Sequence, residues 1–350
     1  MMCIPPYPES SYPFGDLVPL GFLLKALKTT ENDPFCEPAI SQLTAFLLKK
    51  KQGKLWAFHT DHLITATDSA LILLGIHDTV AVEELEIFHD GKNGYYPQLW
   101  SEKSEPDHML ISDSYRIWCQ TDYATTCFIR GLRIQNGYAS HTSITYLADG
   151  FDRRSGLFFA NPYLVDWAFS MAVKNESQAV QLQKKLIGEI LASQNSDGAF
   201  GCFDILLSTS LAVVTLKTLG FRGIPVHRAQ CWIADYINKQ KEPDKAIPFY
   251  SATLVDYKNM LPPELILMKF FNEKHIAKIG EKLFAISYYE DTGNIIGSAL
   301  ACLALADEEN VTIDDANQHS DTECQPRYRC KNHAEYISRY ALTPFTDSIS

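Results

Sequence analysis

The sequence predicts an all-α protein, an (α/α)6 toroid (barrel) in which outer and inner helices alternate along the chain. Three observations point there. A unit recurs in which an amphipathic helix, a short loop with Gly and an aromatic residue, and a helix apolar on nearly every side follow one another. Gly94, Gly156 and Gly198 each have an aromatic residue two positions on. Room exists for six such pairs between about Pro38 and Asp307. A helix apolar all round must be buried all round, while its amphipathic partner buries one face, so each pair describes an inner and an outer layer. Closing the six pairs into a ring leaves no exposed repeat edge. An open superhelix of helical repeats would call for units of more uniform length.

The elements follow in order. Residues 1–37 read as an N-terminal extension, rich in Pro and Tyr as far as Phe14 and without the charged and apolar regions of a signal peptide. The toroid is expected over 38–307. Residues 40–51 predict the first outer helix, Gly53-Lys54-Leu55-Trp56 its loop, and 63–74 the inner helix, stopped by Gly75. Residues 80–89 lead through Gly94-Tyr95-Tyr96 to 123–134, and 143–147 through Gly156-Leu157-Phe158 to 163–173. The clearest copy opens at Gln178, where Val180, Leu182, Leu186, Ile187, Ile190 and Leu191 recur at helical spacing. The loop 194–201 follows, then the inner helix 204–214, with Gly220 as its stop. Residues 226–237 lead through Pro248-Phe249-Tyr250 to a segment broken by Pro262-Pro263, and 276–286 through Gly293 to 295–305. Residues 308–350 read as a polar C-terminal tail with one helix at 334–340.

Composition excludes several classes of function. The chain of 350 residues is 46% hydrophobic, enough for a sizeable core, and its 12% aromatic content suits a large core or an aromatic-lined pocket. The net charge of −11 and the lack of a basic stripe argue against a nucleic-acid partner. Lys49-Lys50-Lys51 reads as a solvated helix end. Nine scattered cysteines without a CxxC pair fit a reducing, cytoplasmic setting. No apolar stretch reaches the about 18 residues of a membrane span, which leaves peripheral membrane contact open. P-loop, GxGxxG and GxSxG motifs are missing, so no cofactor is expected. No metal is expected either. His59 and His62 could share a helix face but lack a nameable third ligand, and His319, Cys324, Cys330 and His333 have spacings unlike zinc fingers.

Ile190, Gln194, Gly198 and Phe200 resemble the QW motif of squalene-hopene and oxidosqualene cyclases. That motif has an aliphatic residue, Gln four on, Gly four further and an aromatic two beyond; here Phe stands where the family prefers Trp. The stretch from Gln52 to Trp56 looks like a shortened copy, and Asp68-Ser69-Ala70-Leu71-Ile72-Leu73-Leu74 is similar to the family's inner helices. Protein prenyltransferase subunits share the toroid, but their zinc site of Asp, Cys and His finds no match. In Trp118-Cys119-Gln120, Gln stands where the zinc motif of lanthionine cyclases has His. Class II terpene cyclases carry a DxDDTA-like motif at the start of an inner helix. The stretch most like it is Thr65-Ala66-Thr67-Asp68-Ser69-Ala70, with Thr67 at the position of the proton-donating Asp and Asp68 the one acid kept.

The resemblance implies a terpene-cyclase-like enzyme, an isomerase or lyase, that holds a polyprenyl or similarly apolar small molecule in the ring and starts cyclisation with a proton. Asp68 is the expected donor. In a helix starting near Asp61 it lies among Ile64, Ala66, Leu71 and Ile72, where a carboxyl resists ionisation, as a general acid near neutral pH needs. If the helix starts later, Asp68 is instead its cap. Asp61, His62 and Asp122 are the expected helpers, because parallel inner helices bring their N-termini to one mouth. The acids there, Asp204 included, serve equally well as caps, and Asp68, Asp122 and Asp204 do not share one register. Trp56, Trp118, Tyr123 and Phe249 are expected to line the cavity and steady carbocations with their ring faces. Two further readings stand beside this one. One is a carbohydrate-active enzyme on the same barrel, with Asp61 and Asp122 as acid and base. The other is a non-catalytic binding or scaffold toroid. No protein partner can be named from the sequence.

Overall fold

The structure, a computed structural model, describes residues 2–3, 15, 17–30, 33–57, 64–99, 120–240, 245–255, 276–279, 282–306 and 323–342. Helices dominate: α1 (Leu17–Leu27), α2 (Glu37–Lys49), α3 (Ala66–Leu73), α4 (Thr79–Glu84), α5 (Tyr123–Gln135), α6 (Ile144–Gly150), α7 (Pro162–Val173), α8 (Val180–Ala192), α9 (Ile205–Thr218), α10 (Ile224–Lys239), α11 (Ile295–Leu305) and the short α12 (His333–Tyr336). Six of them touch in a closed cycle. α1 packs on α3, α3 on α5, α5 on α7, α7 on α9, α9 on α11, and α11 back on α1. Apolar sequence all round makes this placement necessary: every residue of α7 is buried, and so is α9 from Leu206 to Lys217. The amphipathic helices lie outside. α10, against α9 and α11, buries only Val226, Ala229 and Ile233, at helical spacing.

The segment 1–37 contributes α1 to this cycle. α1 and α3 meet at two glycines. A Cβ on Gly21 would stand 2.8 Å from the Ile72 Cα, and one on Gly75 only 2.3 Å from the Gly21 carbonyl oxygen. Gly75→Ala is expected to push the helices apart at a cost of about 1–3 kcal/mol, seen as a lower urea midpoint. An unchanged midpoint would show that this approach does not hold α1 in place.

The all-α expectation fails at 249–255, 276–279 and 282–291. Strands β1 (Met2–Cys3), β2 (Phe249–Val255), β3 (Ile276–Ile279) and β4 (Lys282–Asp291) form a four-stranded antiparallel sheet. β4 pairs with β2 along one edge and with β1 and β3 along the other. The outer helix expected over 276–286 is therefore β3 and β4. The physical reason is the period: Phe284, Ile286 and Tyr288 are buried at alternate positions, which suits a strand rich in aromatic and β-branched residues. The inner helix expected around Pro262-Pro263 begins as β2 and then lies outside the described residues. α1 is the sixth helix of the cycle instead. The buried face of the sheet packs on 330–342, where Tyr336, Ile337 and Leu342 join Tyr250, Phe284 and Ile286 in one cluster. Part of the expected polar tail is thus built into the core.

The Gln194 loop shows what its motif residues do. Gln194 Nε2 donates to the carbonyls of Gly198 (2.9 Å) and Pro225 (2.8 Å), tying the loop to the first turn of α10. Gly198 has φ +97°, and a Cβ there would stand 3.0 Å from the Arg228 carbonyl oxygen. Ile190 and Phe200 are fully buried. No described helix is long and apolar enough to cross a membrane.

Candidate functional site

Hydrogen bonds place the starts of α3, α5, α7 and α9 at one end of the molecule. Thr67 in the first turn of α3 bonds Thr125 in the first turn of α5 (2.8 Å). Asp122, before α5, accepts from the backbone N–H of Leu157, before α7 (2.8 Å). Asn161, before α7, donates to Ser208 in the first turn of α9 (2.9 Å). Caps fix each start: Thr65, Asp122 and Asn161 accept from Asp68 N (3.1 Å), Thr125 N (2.7 Å) and Tyr163 N (3.0 Å). The start of α11 is capped by Asp291, which accepts from the N–H groups of Ile295 (2.9 Å) and Ile296 (2.7 Å). Asp204, left-handed at φ 44°, does not cap α9 with its side chain; its Oδ2 faces Ile247 N (2.9 Å) and His333 Nε2 (2.6 Å).

Asp68 sits in the first turn of α3, partly buried. The helix begins at Ala66, so Asp68 is neither two turns in nor the cap. Thr65 is the cap, and its hydroxyl donates to Asp68 Oδ2. Burial pushes the Asp68 carboxyl up to about 6 and outweighs the Thr65 bond, which favours the ionised form. Thr67, at the position of the cyclases' donor, is buried against Thr125. Asp122 is also buried, which raises its pKa, but each of its oxygens accepts a backbone N–H, a geometry that favours the anion. It holds the α5 start to the segment before α7.

Of the expected aromatics, Tyr123 and Phe249 lie at this end. Tyr123 opens α5, donates from its hydroxyl to the Leu147 carbonyl (2.7 Å) and stacks on Phe169 at 6.5 Å between centroids. Phe249 opens β2 and meets Phe159 edge-on at 5.9 Å. Trp56 is fully buried between α2 and α3. Its indole N–H donates to the Leu47 carbonyl (2.7 Å) and its backbone N–H to Ser69 Oγ (3.0 Å). Asp61, His62 and Trp118 lie outside the described residues, as does His59.

Sequence reasoning missed a buried ionic cluster beside this end. Asp166, in the middle of α7, accepts from Arg154 Nε (2.7 Å), from Arg327 and from the Tyr328 hydroxyl (2.5 Å). Arg154 also reaches Glu189 on α8 (2.5 Å). Burial alone would raise the pKa of Asp166, but the guanidiniums of Arg327 and Arg154 hold it below the usual carboxylate range. The Tyr328 ring stacks on Tyr163 at 4.8 Å. The cluster fastens 323–342 to α7 and α8. A lone acid within the apolar run Tyr163-Leu164-Val165-Asp166-Trp167 was the available signal.

No protein-family model matches the sequence, and no curated protein matches it. Solved structures do share the fold. The apo type II terpene cyclase MstE from Scytonema superposes with a TM-score of 0.60 at 12% identity, over 85% of this chain and 89% of that one. A variant of MstE in complex with geranylgeranyl dihydroxybenzoate, its substrate, gives 0.57 at 12%, over 83% and 87%. Another, in complex with the product merosterolic acid A, gives 0.60 at 12%, over 85% and 88%. The chain has a terpene-cyclase-like fold.

Proposed function

We propose that this chain is a terpene-cyclase-like enzyme, working in the cytoplasm, which holds a polyprenyl or similar apolar substrate within an (α/α)6 toroid and starts its cyclisation with the Asp68 proton. The observation that carries the reading is Asp68 itself: a carboxyl kept largely protonated below about pH 6 by burial, at the end where α3, α5, α7 and α9 begin. The likeness to cyclases that bind apolar prenylated molecules supports the substrate class. In the proposed reaction Asp68 gives its proton to a terminal alkene and a cation forms at the more substituted carbon. Neighbouring double bonds attack in turn, and the last cation loses a proton. Exclusion of water and aromatic faces such as Tyr123 and Phe249 would keep the cations from capture. Asp122 would fix the α5 start under the site.

The reading is tested by incubating the protein with geranylgeranyl dihydroxybenzoate and following cyclised product by mass spectrometry. Because Asp68 acts as the acid, turnover is expected to be highest below about pH 6 and to fall about tenfold per pH unit well above it. A rate that rises through this range would make Asp68 a base and remove it as the donor.

A further inference from the structure

We propose that Thr65 is a positioning residue for the proton transfer: its hydroxyl holds Asp68 Oδ2 and so leaves Oδ1 as the oxygen that carries the proton and gives it up. This rests on the reading of Asp68 as the proton donor. One hydroxyl makes two contacts with Asp68. It accepts from the Asp68 backbone N–H (3.1 Å) and donates its single hydrogen to Oδ2. Oδ1 accepts from no other described residue, and Asp68 keeps part of its surface accessible. A proton on Oδ2 would turn the Thr65 bond round and take the hydroxyl hydrogen from the one acceptor it has among the described residues, on a side chain that is buried. A proton on Oδ1 leaves both bonds in place, so the protonated carboxyl has one favoured form.

The backbone on both sides of Asp68 is fixed, which keeps the hydroxyl aimed. Thr65 N donates to the Trp56 carbonyl (3.1 Å) and Ala66 N to the Pro97 carbonyl (2.8 Å). Ser69 Oγ donates to the same Trp56 carbonyl (3.1 Å) and accepts from Trp56 N (3.0 Å). Asp68 thus lies between two residues tied to one strut, and the β-branched Thr65 side chain is stiff about its first torsion. In the reaction the Oδ1–H bond breaks as the π electrons of the terminal alkene form the new C–H bond. The O–H electron pair stays on Asp68, where the Thr65 bond steadies the carboxylate. The proton lost by the last cation balances the one given.

The experiment uses the full chain and two readouts. The first is turnover of geranylgeranyl dihydroxybenzoate against pH. Thr65→Ser keeps the hydroxyl and is expected to stay within about threefold of the parent, with the same pH profile. Thr65→Val keeps the shape and removes the hydroxyl. Its kcat is expected to fall about tenfold or more with KM little changed, as a misplaced acid would have it. Its loss of activity with rising pH should begin about one unit higher, since the missing bond favoured the ionised carboxyl. A purely structural role predicts a smaller active fraction and an unmoved profile. The second readout is the infrared C=O band of protonated Asp68, isolated at acid pH as the difference between each protein and its Asp68→Asn counterpart. The band is expected to move to higher frequency in Thr65→Val, where Oδ2 no longer accepts, and to stay in place in Thr65→Ser. If Thr65→Val does not fold, Thr65→Asp supplies the helix cap without the donor and takes its place in both readouts. An unmoved band or an unmoved pH profile in the hydroxyl-free variant overturns the role of Thr65 and leaves Asp68 as the donor. If the parent makes no product, the cyclase reading falls and this proposal with it, whatever the band does.

Discussion

Asp68→Asn is expected to abolish cyclisation and, at neutral pH, to make the protein more stable. The two effects have one cause. A positioned general acid is worth about 10²–10⁴-fold in rate. Asn keeps the size of Asp and can accept the Thr65 hydroxyl bond, so the first turn of α3 stays formed. The stability effect follows from linkage. Burial raises the folded-state pKa of Asp68 to about 6, above its ordinary value of 3.8, so between those values the native state holds the proton more tightly than the unfolded chain. Stability is lost as pH rises through that window and stays lost above it. At pH 7 the ionised carboxylate costs on the order of 2–3 kcal/mol, a cost Asn does not carry. Urea unfolding at pH 7 should place Asp68→Asn above the parent, and at pH 3 the two should coincide. A variant that is inactive and also less stable at pH 7 would mean that Asp68 serves the fold. Full activity in a stable variant would dismiss it as the donor.

How far the sequence disclosed this site depends on what each residue packs against. The helices at 162–173 and 205–218 were legible, because a run apolar on all sides can only lie inside. The Gln194 loop was legible as a motif, and its reason is geometric: an amide that spans two carbonyls and a glycine at positive φ. The start of α3 was readable but misjudged. Thr65 followed three residues later by Asp68 is a capping pattern, and it places the helix start at Ala66. The sheet was obscured because Lys282–Asp291 has enough buried apolar residues to imitate a helix face, and its period of two emerges only once β2 pairs with it. α1 was set aside with the Pro-rich residues before it, although its own run is apolar enough to be enclosed. Arg327 gave no signal. Its partner Asp166 is distant in sequence, and a basic residue in a polar tail looks solvated until the tail folds back.

That fold-back predicts the largest loss of stability in the molecule. Asp166→Asn should destabilise it by about 3–5 kcal/mol, the usual cost of removing one member of a buried ionic cluster. The variant leaves Arg154 and Arg327 facing only Glu189, so a neutral group of four becomes a buried net cation. The loss should show first at 323–342, since Arg327 and Tyr328 are its attachments to α7, and limited proteolysis should cut there before the helices open. Charge and packing can be separated by adding Arg327→Gln. This restores neutrality with Arg154 opposite Glu189, so the double variant should recover part of the stability lost by Asp166→Asn alone. If the double variant is worse than either single change by their sum, the cluster acts through shape and hydrogen bonds, not through charge. Acid tests the same contact without mutation. The folded-state pKa of Asp166 is held below 3.8 by the two guanidiniums, so its contribution persists above that value and disappears only as pH falls further. Release of 323–342 near neutral pH in the parent protein would mean that this cluster is not what holds it.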